Sequence, residues 1–362
     1  MRRWPYTLAV LLSVAVGTTA IVASNILDVP LRDPDGFLGP AYVRLPLIGL
    51  LFFAAGIIPT ALKRYGRHGF IHGVAKIVDE EWTWQRIAYI ATGLISFYTC
   101  YVSYRNLKSY LPLVREGVLF DHRMLEFDHF LMFGNNPAEL LHSLLGTDFA
   151  AQVLATAYVS YLPLIPLTLG AFLVWGRDLS LGAWYATALG LNWVLGAASY
   201  YMIPTLGPAF AQSQMFQDLP NTGVTALQQS LFKNGVGFKE DPTGGSIFGI
   251  AGFASLHVSV VFTACLFFER TGQKAIIRIC GWAFMVLTVL ATIYFGWHYI
   301  ADDVAGAAIG WASVSIGAWA SGNRGRRRRH IKGNHTPEEI GMVPVEVQPA
   351  TAGASETASS TA

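Results

Sequence analysis

Apolar residues fall into long runs broken by short polar segments, at about 5–24, 41–62, 86–104, 150–175, 180–202, 247–268, 275–296 and 303–320. A helix that crosses a bilayer needs roughly 20 mostly apolar residues, so the pattern predicts an all-α, polytopic bundle of about eight transmembrane helices. The first run follows Met1-Arg2-Arg3 and has a second reading as a cleaved signal peptide. Cleavage leaves the direction of every later span unchanged. Between the third and fourth runs, Met124–Phe133 and Pro137–Leu145 are amphipathic and are expected to lie as helices on the membrane surface. Residues 203–246 read as a Gly- and Pro-containing loop. No repeat at a solenoid period occurs.

Of the 362 residues, 53% are hydrophobic and 13% charged, and mean hydropathy is +0.41. A soluble domain carries about 25% charged residues, so a disordered chain, a nucleic-acid-binding domain and an ordinary cytosolic enzyme are excluded. A net charge of +2 names no partner, but its distribution orients the chain. Arg2 and Arg3; Lys63, Arg64, Arg67 and Lys76; Arg177; Arg270, Lys274 and Arg278; and Arg324 with Arg326 to Arg329 all fall on one side if both termini are cytoplasmic. That is the side on which Lys and Arg accumulate. The tail from residue 323 starts basic and ends in Ala/Ser/Thr/Glu-rich sequence, which predicts disorder. Cys100, Cys265 and Cys280 lie in apolar runs with neither disulfide nor zinc spacing, and read as small hydrophobes.

Ionisable groups at membrane depth are functional candidates. Two clusters stand at the outer ends of spans, Gly252-Phe253-Ala254-Ser255-Leu256-His257 and Gly296-Trp297-His298-Tyr299-Ile300-Ala301-Asp302-Asp303. His298 and Asp302 are neighbours if that segment is helical, and a carboxylate there fixes the imidazole tautomer and leaves the other nitrogen free. Asp303 points about 100° away. Ser255 and His257 open a helix, where N–H groups and the dipole favour a phosphate or another oxyanion. One inward span, a short link and one outward span return the chain from His257 to His298 on the same face.

These residues resemble the type 2 phosphatidic-acid phosphatase superfamily, and most closely its inositol-phosphorylceramide synthase-like branch. Ala254-Ser255-Leu256-His257 is similar to the branch's Pro-Ser-Leu-His. Thr292, Tyr294, His298, Tyr299 and Asp302 match its Thr-x-Tyr-x-x-x-His-Tyr-x-x-Asp. Tyr201 to Pro208 resembles the preceding Pro-rich element, and Asp128 to Gly134 with Pro137 the surface helix region. The likeness covers about residues 90–320. It departs in two places. The superfamily's Lys-x6-Arg-Pro is missing before the sixth span, and Thr292 stands where an Arg precedes the last histidine. Lys108 and Arg115 have the right spacing in the wrong place. Arg105 and Lys108, at the outer end of the third span, are the nearest replacements, with snorkelling as their bland alternative.

The resemblance implies a six-helix phosphatase-like core, with two N-terminal helices and a loop in 1–85, a catalytic membrane domain in 86–322 and a cytoplasmic tail in 323–362. It implies His298 as nucleophile, Asp302 as its orienting carboxylate and His257 as general acid and then base. Ser255, Tyr294, Arg105 and Lys108 are the expected phosphate contacts. No cofactor and no metal are expected. The resemblance implies a membrane lipid phosphate as donor and a polyol, a lipid or water as acceptor, so that the expected enzyme is a phosphotransferase, with inositol phosphate as one group it would transfer, or a lipid phosphatase. An intramembrane serine protease using Ser255, a zinc site from His257, His298 and Asp302, and a transporter are the rival classes. The site is expected on the extracytoplasmic face of the cell membrane.

Overall fold

The apolar runs become helices because, away from water, a helix pairs every backbone N–H and C=O within itself. The computed structural model describes residues 4–36, 39–176, 178–250 and 252–324. Arg2, Arg3, Arg177, Ala251 and the tail from 325, including the predicted basic run and disorder, lie outside the described residues. Among the described residues the elements are all helical. They are α1 (Thr7–Leu27), α2 (Ala41–Tyr65), α3 (Phe70–Glu81), α4 (Trp84–Val114), α5 (Asp121–Leu131), α6 (Pro137–Leu145), α7 (Phe149–Gly170), α8 (Leu179–Met202), α9 (Pro208–Ala211), α10 (Gly223–Glu240), α11 (Leu256–Arg270), α12 (Ala275–Tyr294) and α13 (Ile300–Ala320). A π-helical turn over Ala171–Trp175 extends α7.

Five helices are long and apolar enough to cross a membrane: α1, α2, α4, α7 with its π-helical turn, and α12. The other three predicted spans are helices that fall short for separate reasons. α8 is the central helix, packed against α1, α4, α11 and α13 and buried at every residue from Leu179 to Trp193. A helix enclosed by protein can carry polar side chains, and α8 carries Thr187, Asn192 and Ser199. α11 has only 15 residues, because residues 246–250 and 252–255 are not helical. α13 begins with two aspartates.

Polar side chains join the central helices. The Asn192 amide donates to Thr263 Oγ1 at 3.0 Å, and the Ser259 hydroxyl donates to Asn192 Oδ1. Small residues set the spacing. A Cβ on Gly306 would collide with the Ser255 carbonyl, and one on Gly310 with that of Ser259, so only glycine lets α13 lie against the first turns of α11.

One end of the bundle gathers residues 28–36, α5, α6, α9, α10 and the approaches to α11 and α13. Phe120 N–H donates to the Pro204 carbonyl at 2.9 Å, the Arg32 guanidinium to that of Thr243 at 2.6 Å, and Phe248 N–H to Ser109 Oγ at 2.9 Å. α3 packs on α2 at the opposite end, where Arg86 donates to the Val174 carbonyl at 3.0 Å. The two amphipathic stretches between the third and fourth runs form helices, α5 and α6. Residues 203–246 differ from the expected loop: they hold α9, a 3-10 turn at Ser213–Phe216 and the 18-residue α10. Three glycines and a few scattered apolar residues hide α10 in the sequence. Thr222 starts it by accepting from Thr225 N–H at 3.2 Å, and of its own residues only Val224, Gly235 and Phe238 are buried.

Candidate active site

Ser255 is the N-cap of α11, its Oγ accepting from Val258 N–H at 3.4 Å. Its own N–H donates to the Asp302 carbonyl at 3.0 Å, which ties the starts of α11 and α13 together. The strand of chain before it is pinned from α8 and its exit. Gly252 N–H donates to the Thr205 carbonyl at 2.8 Å, Phe253 N–H to Thr205 Oγ1 at 2.8 Å and Ala254 N–H to Ser199 Oγ at 3.0 Å. His257, in the first turn of α11, has its ring against two tyrosines of α7, with centroids 4.3 Å from Tyr158 and 4.2 Å from Tyr161. Tyr158 also stacks on Trp297 at 5.2 Å.

His298 lies one residue before the N-cap of α13, so it is not on the helix as the spacing suggested. Capping brings it to Asp302 all the same. Asp302 Oδ2 turns back to accept from Tyr299 N–H at 3.0 Å and lies 3.3 Å from His298 Nδ1. Nδ1 carries the proton in that contact, which leaves Nε2 with its lone pair. Asp303 turns away and accepts the Thr292 hydroxyl at 2.8 Å. His257 and His298 face each other with ring centroids 6.3 Å apart.

The segment carrying His298 is held peptide by peptide from the surface elements. His142 Nε2 of α6 meets the Tyr294 carbonyl at 2.8 Å, Gln228 of α10 donates to the Phe295 carbonyl at 2.8 Å and Ala209 N–H of α9 to the Gly296 carbonyl at 2.7 Å. Two carboxylates on one face of α5 complete the hold. Asp121 accepts from the Tyr299 hydroxyl at 3.1 Å and from Leu206 and Gly207 N–H, each at 3.0 Å. Asp128 accepts from Ile300 N–H at 3.1 Å and caps α13 from outside. Sequence reasoning assigned no role to Asp121, Asp128, Tyr158 or Tyr161. The seven-residue spacing of two aspartates on an amphipathic helix was the one available signal. The tyrosines gave none, because their partner is about a hundred residues away.

Burial pushes the Asp128 carboxyl up to about 7, with the Ile300 N–H opposing and the charges of Asp302 and Asp303 adding. Burial also raises Asp121, against its three donors. An unfolded Asp titrates near 3.9, so between about pH 4 and pH 7 the folded chain holds a proton that the unfolded chain has released. Stability from this group therefore falls as pH rises through that window and is level above it. Asp128→Asn cannot ionise and keeps an acceptor for Ile300. Its melting temperature in detergent should fall less than that of the wild type between about pH 4.5 and 7.5; parallel curves would remove Asp128 from the titration.

Of the other residues singled out in the sequence, Lys108 is 9% exposed, with its ammonium 5.1 Å from the centre of the Tyr200 ring, and it acts electrostatically on His257. Arg105 lies about one turn deeper on α4 and acts on Lys108 in turn; its Nε is buried without a partner. Among the described residues neither cation makes an ion pair. Tyr294 is not brought to this group. Its hydroxyl donates to the Gly146 carbonyl at 2.8 Å and its ring packs on His142. Among the described residues no three His, Cys, Asp or Glu side chains converge as metal ligands would.

The profile of the PAP2 superfamily matches residues 122–316, more than half of the chain, and the match contains α5 from its second residue onward and both histidine segments. The chain belongs to the PAP2 superfamily. No curated protein and no solved structure matches it. Membership makes a lipid phosphate the substrate class and phosphatase- or phosphotransferase-type chemistry the activity class of this PAP2 protein. Its helices, long and apolar enough to span, make it a membrane protein.

Proposed function

We propose that the chain is a lipid phosphotransferase of the inositol-phosphorylceramide synthase-like branch, with residues 86–322 as its catalytic domain and a phosphohistidine as its intermediate. The observation that carries this reading is the facing pair of imidazoles 6.3 Å apart, one meeting a carboxylate through Nδ1 and the other under the electrostatic influence of a buried lysine. His298 Nε2 attacks phosphorus in line, the bond to the leaving oxygen breaks, and His257 gives that oxygen a proton. Asp302 stabilises the positive charge that develops on His298. His257, now neutral, removes the proton of the incoming hydroxyl as its oxygen displaces His298 from phosphorus. An acid–base partner of this kind contributes about 10²–10⁴-fold.

Lys108, the Arg105 guanidinium and the N-terminus of α11 supply the positive potential for the phosphoryl oxygens. They stand in for the family cations absent around the two histidine motifs, and no metal is required in this scheme. A lysine 9% exposed, without an ion pair among the described residues and acting electrostatically on His257, favours an anion over the rival protease, whose Ser255 hydroxyl is fully buried as a cap. The layer of α5, α6, α9 and α10 over the site offers surface for a second substrate, which favours transfer over hydrolysis.

The test uses the full chain in detergent with phosphatidic acid, in excess chelator, with inorganic phosphate and phosphorylated acceptor both measured. Turnover should survive chelation and be lost with vanadate. Inhibition by chelator would favour the zinc reading, and phosphate as sole product would favour the phosphatase. Lys108→Met should lower kcat/KM by about 10²-fold, the scale for loss of one preorganised donor; near-normal kcat/KM would return Lys108 to packing.

The lysine and arginine pattern supports an extracytoplasmic site with both chain termini in the cytoplasm. Single cysteines at Ser213 and Ser321, in a chain lacking the three native ones, report it with an impermeant thiol reagent on intact cells. Position 213 should label and 321 should not, and the reverse result inverts the orientation.

A further inference from the structure

Helix α5 has three flanks of different chemistry. At 3.6 residues per turn Asp121 and Asp128 share one face, the face that bonds Tyr299 and Ile300. Phe127 and Leu131 stand about 100° to one side of it, with Phe130 opposite, and His122, Glu126 and His129 stand about 100° to the other. Phe127, Phe130 and Leu131 are exposed. On the charged flank His122 and Glu126, both exposed, meet at 3.4 Å. Arg123 falls beside the apolar flank in the first turn, its guanidinium 5.5 Å from the centre of the Phe120 ring, and a long cation so placed reaches head-group level while its stem covers apolar surface.

The apolar flank runs on along the chain. Phe133 follows α5 with φ +53°, a conformation that a bulky side chain rarely adopts, and it is 95% exposed. The chain thus holds a phenylalanine in a left-handed turn with its ring outside the protein. Beyond it Leu144 and Leu145 of α6 are exposed, and Phe149 starts an exposed apolar stripe on α7 that continues through Val153, Val159 and Leu162. With its π-helical turn, α7 is long and apolar enough to cross the membrane, so this stripe meets acyl chains. Exposed apolar patches mark interaction surfaces, and a helix with one apolar and one charged flank is the form that lies in a membrane interface.

We propose that α5 and α6 are set into the head-group boundary of the bilayer, with Phe127, Phe130, Phe133 and Leu144 among the acyl chains, and that a long-chain lipid phosphate reaches the histidine pair past this flank. The seating follows from continuity with α7 and is independent of the chemistry at the site. The path rests on the proposed site at the histidines. Asp128 holds Ile300 N–H, and Phe127 and Leu131 stand on the same helix, so the apolar flank lies about one helix width, ~10 Å, from the segment that carries His298. A donor with its chains along the aromatics therefore presents its phosphate near the histidines without leaving the bilayer.

The test uses the full chain without its three native cysteines, in phosphatidylcholine vesicles, with a nitroxide on single introduced cysteines. Labels at Phe130→Cys, Phe133→Cys and Leu144→Cys should be reached by oxygen in preference to a nickel chelate, and the label at Glu126→Cys by the chelate. Chelate access at 130 and 133 equal to that at 126 overturns the seating. Screening from both reagents also overturns it, and would place a second copy of the chain on the flank. Phe130→Ser combined with Phe133→Ser should lower turnover of dioleoyl phosphatidic acid in the same vesicles about tenfold, the scale of one large apolar side chain returned to water. Turnover of dibutyryl phosphatidic acid, which arrives from water, should stay at the wild-type level. Equal losses on both donors would make the aromatics a brace for His298, and no loss on either would leave them without a part in delivery; each overturns the path. A wild type inert on both donors overturns the histidine site and the path with it, while the labels still decide the seating.

Discussion

His298→Ala should insert and fold as the wild type does and show no phosphate transfer or release above background. The ring is 6% exposed and makes its one side-chain hydrogen bond to Asp302, so its removal leaves a small space in a wall that other groups already hold. Tyr299 N–H keeps its bond to Asp302, Ile300 N–H its bond to Asp128, and the Gly296 carbonyl its bond from Ala209. What is lost is the nitrogen that would form the bond to phosphorus, and no neighbouring side chain stands in the same position. Asp302→Asn should be milder, since the ring survives with poorer orientation and without the countercharge. Asp303→Asn should be milder still, because Asp303 bonds Thr292. Rapid-mix trapping of labelled phosphoenzyme, with melting in detergent as the folding control, decides it. A His298→Ala protein that still forms phosphoenzyme would sink the nucleophile assignment, and an Asp303 variant worse than its Asp302 counterpart would show that the wrong carboxylate was chosen.

Gly306→Val should be the most damaging change made without touching a titratable group. A Cβ there meets the carbonyl oxygen and carbon of Ser255, which are backbone and cannot swing away. Relief requires α13 to move off α11, and forced overpacking of this kind costs about 1–3 kcal/mol. The same movement stretches the bond from Ser255 N–H to the Asp302 carbonyl, and so separates the two helix starts that carry His257 and His298. Melting temperature should fall by several degrees and turnover by more than tenfold, whereas Val304→Ala, at a side chain 66% exposed, should leave both near wild type. Full activity in Gly306→Val would mean that the two histidine segments do not depend on this contact.

The sequence by itself determined the helical class, the positions of the membrane-length helices and the two polar clusters at helix starts. Each follows from information within a few neighbouring residues: a run of apolar side chains, a capping serine, or a histidine four positions from a carboxylate. Even there, local geometry altered one detail, since His298 meets Asp302 through a cap that folds back and not along a helical face. The tertiary structure alone decided what surrounds those clusters. Tyr158 and Tyr161 enclose His257 from a helix about a hundred residues earlier, and Asp121 and Asp128 brace Tyr299 and Ile300 from more than 170 residues away. It also decided that α8 is enclosed, so that its polar residues serve packing, and that Tyr294 turns to Gly146. Hydrophobic periodicity reports which face of an element is buried, but carries no record of which distant element covers it. Charged groups in apolar runs stand out in the sequence, and only the packed bundle shows that Lys108 is enclosed, with no ion pair among the described residues, against the Tyr200 ring.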